Sequence, residues 1–450
     1  MTQAHTIDLG RGPIFPLLIK MSTPSMAAML VFAVYNLLDS IWLARLGTAN
    51  IAAYTITFPF QMLFVALGIG TGVGAGSYVA RMLGGRNFDL SKAASGQVVF
   101  LSLLMGALMI AFISLWPDEI LSALGGQGHI LSLAKDYLTI VAWGTPFVFF
   151  INMTTNLFRA DGRPAEAMYT IFSFALLGAL LDPLLIFGWG PLPSFGIKGA
   201  ALSAVISQIF AAAISINFFF RQRSNITPKF NHCLPHLKVI YAIYQTGFPS
   251  IVLNLVFGLV VVIYNLSLAP YGAYALGTLS LCFRINGLIT MVLFGIGHGV
   301  MPLVGYNFGA GLKDRLTRIV RSALLFSGGV GGLSCLLILI LARPILSIAT
   351  GDEVLIHTAE PALRFFALTL LFVGPTVVWV NMFIGLGKGI TAMSLLFIRD
   401  ALILIPTIHI LKHTWGLTGI WLSQLTATVI GFLIIGFWAR REIKSIISRA

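Results

Sequence analysis

Charge is scarce in this chain. Only 10% of its 450 residues are Asp, Glu, Lys or Arg, against roughly 25% in a soluble globular protein. Cysteine is scarcer still: Cys233, Cys282 and Cys335 are the only three, and they fit no metal-binding spacing. Cys282 and Cys335 lie in apolar runs and read as small packing residues. Cys233 falls on a loop expected to face the cytoplasm, where a disulfide does not persist. No ten-residue alternating segments of a membrane barrel occur. No loop carries the clustered acids that hold magnesium around a diphosphate, so a membrane enzyme such as a prenyl transferase is not expected, nor is any cofactor. The net charge of +13 does not indicate nucleic acid, because the basic residues are spread over loops between apolar runs. No short cleavable signal precedes the first run; the polar stretch Met1–Gly12 leads into a span expected to direct insertion itself.

What remains is apolar. Hydrophobic residues make up 58% of the chain, in runs of 20 or more, each long enough to cross a hydrocarbon layer of ~30 Å. Twelve spans are predicted, at about 14–44, 49–80, 93–116, 130–157, 165–188, 197–220, 239–268, 273–305, 317–341, 355–384, 391–411 and 416–438. The fold class is an all-α integral membrane protein. Its longest loop, 221–238, is basic (Arg221, Arg223, Lys229, Lys238) and broken by Pro228 and Pro235. It divides the chain into an N-lobe (1–220), a cytoplasmic linker and a C-lobe (239–450). Loop charge alternates. Lys20, Arg81, Arg86, Lys92, Arg159, Arg163, Lys313, Arg315, Arg440 and Arg441 fall on one side, and little more than Arg45, Lys198, Arg343 and Lys412 on the other. The positive-inside rule then places both termini and the linker in the cytoplasm, and a bacterial inner membrane is expected.

The halves are repeats. Pro24-Ser25 recurs as Pro249-Ser250, Gly47 as Gly272, glycines 70, 72 and 74 as 295, 297 and 299, and Asp89 as Asp314, all offset by about 225 residues. Pro146, Asn152 and Met153 match Pro375, Asn381 and Met382; Gly196 and Gly199 match Gly416 and Gly419; Leu202-Ser203 matches Leu422-Ser423. Six spans per half send both halves into the membrane the same way. This predicts two six-helix bundles related by a pseudo-two-fold along the membrane normal.

Two acids stand out. Asp39 lies deep in the first apolar run and Asp182 in the fifth. A charged side chain at the middle of a membrane helix costs ~2.5–3.5 kcal/mol or more, and such residues are usually functional. The topology puts both in the outer half of the N-lobe. They are candidates to bind and release a coupling cation, a proton or sodium; the structural alternatives are a bend cap before Pro183 and a hydrogen bond near the interface. Tyr35, Asn36, Tyr137, Asn152 and Asn156 are candidates to orient them or to supply ligands, or else ordinary interhelical hydrogen bonds. Pro24 and Pro249 interrupt the backbone ladder of the first and seventh spans and are candidate hinges. The glycines of spans 2 and 8 read first as packing sites. Arg284, His298 and the pair Arg399-Asp400 also fall within apolar stretches, as a C-lobe polar patch or as structural pairs. Some of the 34 Phe and 14 Met could line a pocket for bulky organic cations.

Four motifs resemble those of the multidrug and toxic compound extrusion (MATE) family. They are Asn36-Leu-Leu-Asp39 with Leu43-Ala-Arg-Leu-Gly47; Asn156-Leu-Phe-Arg-Ala-Asp-Gly162 with Pro164; Leu181-Asp-Pro-Leu-Leu-Ile-Phe-Gly188; and Gly297-His-Gly-Val-Met-Pro-Leu-Val-Gly-Tyr-Asn-Phe-Gly-Ala310. The resemblance spans both halves. It implies two six-helix lobes in a V, antiport of organic cations against protons or sodium without ATP, and no enzymatic activity. In the DinF-like prokaryotic branch, the first-span and fifth-span aspartates, here Asp39 and Asp182, carry coupling. The chain departs from that branch at Gly178, where Asn is common, and at His298, where Gln is expected. It lacks a glutamate within the seventh span, which separates it from the branch with C-lobe coupling acids. The expected partners are small-molecule drugs and the bilayer, and a monomer is expected. The alternative is a flippase of lipid-linked sugars, which calls for a strongly cationic cavity.

Overall fold

The computed structural model describes residues 7–188, 193–221 and 224–448. The first six residues of the polar N-terminus and Arg223 of the central loop lie outside them. The described chain is helical and contains no strand. Eleven helical runs are long and apolar enough to cross a membrane. The last, Gly389–Ser448, breaks at Gly416 (φ 56°, ψ −132°), which makes twelve spans, as the sequence predicts. The protein is a multi-pass membrane protein. A short helix, Pro117–Ala123, is added between spans 3 and 4.

The repeat shows in the backbone. Left-handed residues end or begin corresponding helices at Gly47 and Gly272, Arg86 and Gly311, Gly162 and Gly387, and Gly196 and Gly416. At Gly47 (φ 99°) and Gly272 (φ 84°) the chain turns from one span straight into the next, a geometry that glycine adopts without the Cβ penalty. Asp89 and Asp314 occupy the first turns of spans 3 and 9, where a carboxylate favours the helix dipole.

The chain packs as two compact units. The first holds Ala27–Ile251 with Ile7; the second holds Asp8–Met26 and Val252–Ala450. Membership therefore changes inside spans 1 and 7, unlike the division at 221–238 expected from loop length. Glycines explain it. In the first unit, Gly70 and Gly74 of span 2 have no room for a Cβ against Ile243, Gly247 and Ile251 of span 7. In the second unit, Gly295 and Gly299 of span 8 bear in the same way on Met26 and Ser22 of span 1. The initial segment of each of these two helices is held by a glycine stripe, so it packs with that stripe's bundle.

The central loop is not a free tether. Gln97 of span 3 is buried and donates through Nε2 to the carbonyls of His232 (2.9 Å) and Leu234 (2.8 Å), while its Oε1 accepts from the His236 backbone N–H (3.0 Å). The loop is docked on the first unit by one side chain that satisfies three backbone groups.

Candidate cation site

Within the first unit, spans 1, 2, 4, 5 and 6 converge on the two acids. Asp182 is fully buried, and neither of its carboxylate oxygens has a hydrogen-bond partner. The neighbouring Ser203 hydroxyl lies within reach of both the Gly178 carbonyl (3.4 Å) and the Asp182 carboxylate. Asp39 lies close enough to Asp182 to feel its charge. The Tyr54 hydroxyl donates to Asp39 Oδ2 (3.4 Å) and lies 3.5 Å from Gln61 Oε1. Gln61 Nε2 in turn reaches Tyr137 Oη (3.4 Å) and Thr57 Oγ1 (3.5 Å). The Tyr54 and Tyr137 rings meet edge to face at 5.6 Å. Tyr35 is buried and feels both acids electrostatically, with its ring against Gly178 and edge-on to Phe174 at 5.1 Å. Toward the end of span 1, Trp42 stacks edge-on with Phe187 (6.0 Å) and lies under Arg45 (5.0 Å).

The arrangement is anionic and apolar at once. Among the described residues neither Asp39 nor Asp182 forms a salt bridge, and no cluster of three His, Cys, Asp or Glu forms. Oxygen donors are plentiful: two carboxylates, three phenols and the Gln61 amide. Carboxylate and neutral oxygens suit a proton or a hard cation, and the aromatic rims suit an organic one.

The sequence-predicted residues divide. Asp39, Asp182, Tyr35 and Tyr137 come together. Asn36 does not join them: it is exposed, and its amide donates to Phe32 O (2.7 Å) of its own helix. Asn152 and Asn156 are 15 and 19 residues beyond Tyr137 on span 4, about 22 and 28 Å of helix rise. There they bond back to Val148 O and Asn152 O (both 2.9 Å) and face Gly68, Gly72 and Gly76 of span 2; Asn156 Oδ1 also accepts from Arg159 Nη1 (3.2 Å). Pro24 and Pro249 lie inside continuous helices. The serine after each bonds back to a carbonyl four residues earlier, Ser25 to Met21 (3.4 Å) and Ser250 to Thr246 (3.2 Å). The unit boundaries, Met26/Ala27 and Ile251/Val252, follow each proline by two residues.

Sequence reasoning missed Tyr54 and Gln61. Their signal was present: Tyr54, Thr57 and Gln61 repeat at i, i+3 and i+7 in an apolar span, so three polar groups share one helical face. Gly178 also gains an explanation. The Tyr35 ring fills the space a side chain there would take, with Cε2 2.7 Å from the position of a Cβ. Also missed was a second buried cluster, at the loop between spans 4 and 5. Arg163 pairs with Asp161 (3.6 Å) and Glu166, donates to Phe218 O (2.9 Å) and lies over the Phe158 ring (5.3 Å). Ser224 of the central loop bonds Asp161, and the Ile7 N–H donates to Gly162 O (3.0 Å).

The chain's relationships agree with this layout. Over 420 residues it is 27% identical to the multidrug export protein MepA of Staphylococcus aureus, an alignment covering 93% of this chain and 91% of the relative. The protein of the same name from Staphylococcus saprophyticus is 26% identical over 423 residues, 93% and 92% of the two chains. Among solved structures, an outward-facing multidrug resistance MATE family transporter of the MOP superfamily superposes with a TM-score of 0.94 at 23% identity over the full length of both chains. A MOP superfamily transporter from Pyrococcus furiosus, described as having a binding pocket of reverse polarity, superposes with a TM-score of 0.90 at 24% identity over 99% of both. The MatE family profile matches residues 24–184 and again 249–409, the two halves of the repeat, and the chain belongs to the MatE family.

Proposed function

We propose that this protein is a secondary multidrug exporter that exchanges organic cations for protons or sodium, and that Asp39 and Asp182 are where the coupling cation loads. The observation that carries the reading is the pair of carboxylates in one apolar bundle with no cationic side chain beside them. Two negative charges held there without a counter-ion are strongly disfavoured, so the site is built to take up positive charge from outside the protein. Tyr54, Gln61, Tyr35 and Tyr137 place their oxygens around the acids. Cation binding at the acids releases the drug outward, and cation loss on the cytoplasmic side restores the drug-binding state.

The relatives named for multidrug export support transport of drug-like molecules. The basic loops support an inner-membrane orientation with cytoplasmic termini. Energetics are adequate: one charge moving down ~100 mV provides ~2.3 kcal/mol, nearly two decades of substrate gradient. The prolines of spans 1 and 7 are the proposed bending points, and MATE structures solved in straight and bent conformations support that reading. A carrier of lipid-linked sugars is less favoured, because the polar centre of the first unit is acidic rather than cationic.

The test is drug uptake into everted vesicles. Asp39→Asn removes the proton- or sodium-driven component and leaves passive uptake unchanged. Undiminished driven uptake by Asp39→Asn rejects the mechanism.

A further inference from the structure

The second unit has a polar centre of its own, drawn from the corresponding spans of the repeat, although Asp400 lies seven residues before Thr407, the position offset by 225 from Asp182. Position 264, offset from Asp39 by the same 225 residues that relate Pro24 to Pro249 and Gly47 to Gly272, is Tyr264. It is fully buried. Its hydroxyl lies 3.2 Å from Ser423 Oγ, the counterpart of Ser203, and 2.9 Å from Gln424 Oε1. An acid again comes from the fifth span of the repeat: Asp400 interacts electrostatically with Tyr264. One thing differs. Arg399, the preceding residue, grips Asp400 with two parallel bonds, Nε to Oδ1 at 2.7 Å and Nη2 to Oδ2 at 2.9 Å.

That grip is built. Neighbours on a regular α-helix diverge by about 100°, and the pair sits on a six-residue π-helical turn, Ile398–Ile403, a local distortion often found at functional sites. The stem of Arg399 lies against Gly431 of span 12, where a Cβ would stand 2.5 Å from Arg399 Cγ and 2.8 Å from Cδ. The facing helix is thus cut back to admit the arginine. Bidentate arginine–carboxylate pairing is the strong, geometrically specific form of the contact, and it occupies one lone pair of each carboxylate oxygen and neutralises the charge.

We propose that Arg399-Asp400 is an internally neutralised counterpart of the first unit's acid centre, in which a resident guanidinium takes the place of an exchangeable cation. The inference rests on the reading of Asp39 and Asp182 as the exchanging acids. The second unit keeps a partly buried carboxylate but exchanges nothing from it, which confines coupling to the first unit.

Removing the resident cation uncovers the site. In purified full-length protein, Arg399→Gln acquires a component of the dependence of melting temperature on pH, sodium or tetraphenylphosphonium beyond the response the wild type shows. The groups facing Asp400 are Arg399 on its own span and Tyr264 on span 7, so the new response belongs to Asp400. Adding Asp400→Asn erases it, and adding Asp39→Asn does not. An Arg399→Gln protein that responds as wild type does, or an added response that survives Asp400→Asn, overturns the proposal. If Arg399→Gln does not fold, the neutral double variant R399Q/D400N decides. Wild-type drug efflux by it supports a silent pair, and loss of efflux from a folded double variant overturns one. Normal driven transport by Asp39→Asn alone, together with a gained response in Arg399→Gln, refutes the coupling reading while leaving the masked carboxylate in place.

Discussion

Replacing Gly178 with alanine puts a methyl group where the Tyr35 ring already lies: 2.7 Å from Cε2 and 3.0 Å from both Cζ and Oη. Non-bonded carbons rest at about 3.5–4.0 Å, so the ring must move by about 1 Å. It has little freedom to do so, because the ring is buried and also packs on Phe174 at 5.1 Å. Overpacking of this kind costs ~1–3 kcal/mol, a factor of roughly 5 to 150 in an equilibrium. The strain falls on a residue coupled electrostatically to both Asp39 and Asp182, so it acts on cation loading. Gradient-driven efflux in proteoliposomes is expected to drop by a factor in that range at limiting coupling cation, and to recover in part at saturating cation. The control is a double-mutant cycle: with Tyr35 shortened to leucine, Gly178→Ala costs nothing further. Wild-type efflux by Gly178→Ala, or a loss of the same size in the Tyr35→Leu background, refutes the reasoning.

Further expectations follow from the same structure. Tyr54→Phe deletes the hydroxyl bonded to Asp39; an interhelical bond in a membrane averages about 0.6 kcal/mol and reaches about 1.7, so apparent affinity for the coupling cation falls roughly 3- to 20-fold in efflux titrations. Gln97→Ala unpairs three backbone groups of the central loop, and trypsin cleaves at Lys229 and Lys238 faster than in the wild type while efflux persists. Burial raises the Asp161 carboxyl to about 6, against the opposing effects of the Ser224 hydrogen bond and the Arg163 charge. The folded protein then holds a proton that the unfolded chain has released, so stability falls as pH rises from about 4 to about 6 and levels off above, by ~3 kcal/mol in all. Asp161→Asn removes that slope, as thermal midpoints across the window will show. Pro24→Ala and Pro249→Ala keep the fold and slow turnover, measured as efflux rate at matched protein levels.

The spans were legible because a bilayer leaves few options: long apolar runs must be helices, and their ends are marked by glycines such as Gly47 and Gly272 that the turn geometry requires. The repeat was legible for the same reason, since those glycines recur at a constant offset. Asp39 and Asp182 were legible because a lone acid in an apolar run is conspicuous. Their companions were harder. Asn152 and Asn156 have the right chemistry, but the length of span 4 separates them from the acids, and the structure sets them against the glycines of span 2 and, for Asn156, beside Arg159. Tyr54 and Gln61 are common enough in membrane helices that a shared face carries weight only once Asp39 is seen opposite. The exchange of helix ends between the packing units was encoded in Gly70, Gly74, Gly295 and Gly299, yet a glycine stripe does not name the helix that will fill it. The pairing of Arg399 with its own neighbour depends on a π-helical turn, which no hydropathy period reveals.

The central claim is that the two first-unit carboxyls load and unload the coupling cation. Its most direct measurement is cation displacement from purified protein in weakly buffered detergent solution on addition of an organic cation, followed as proton release and as loss of bound radioactive sodium. The account predicts that drug displaces one or the other from wild-type protein, and that Asp39→Asn combined with Asp182→Asn abolishes the displacement while the protein stays folded. Undiminished displacement from that double variant would contradict it.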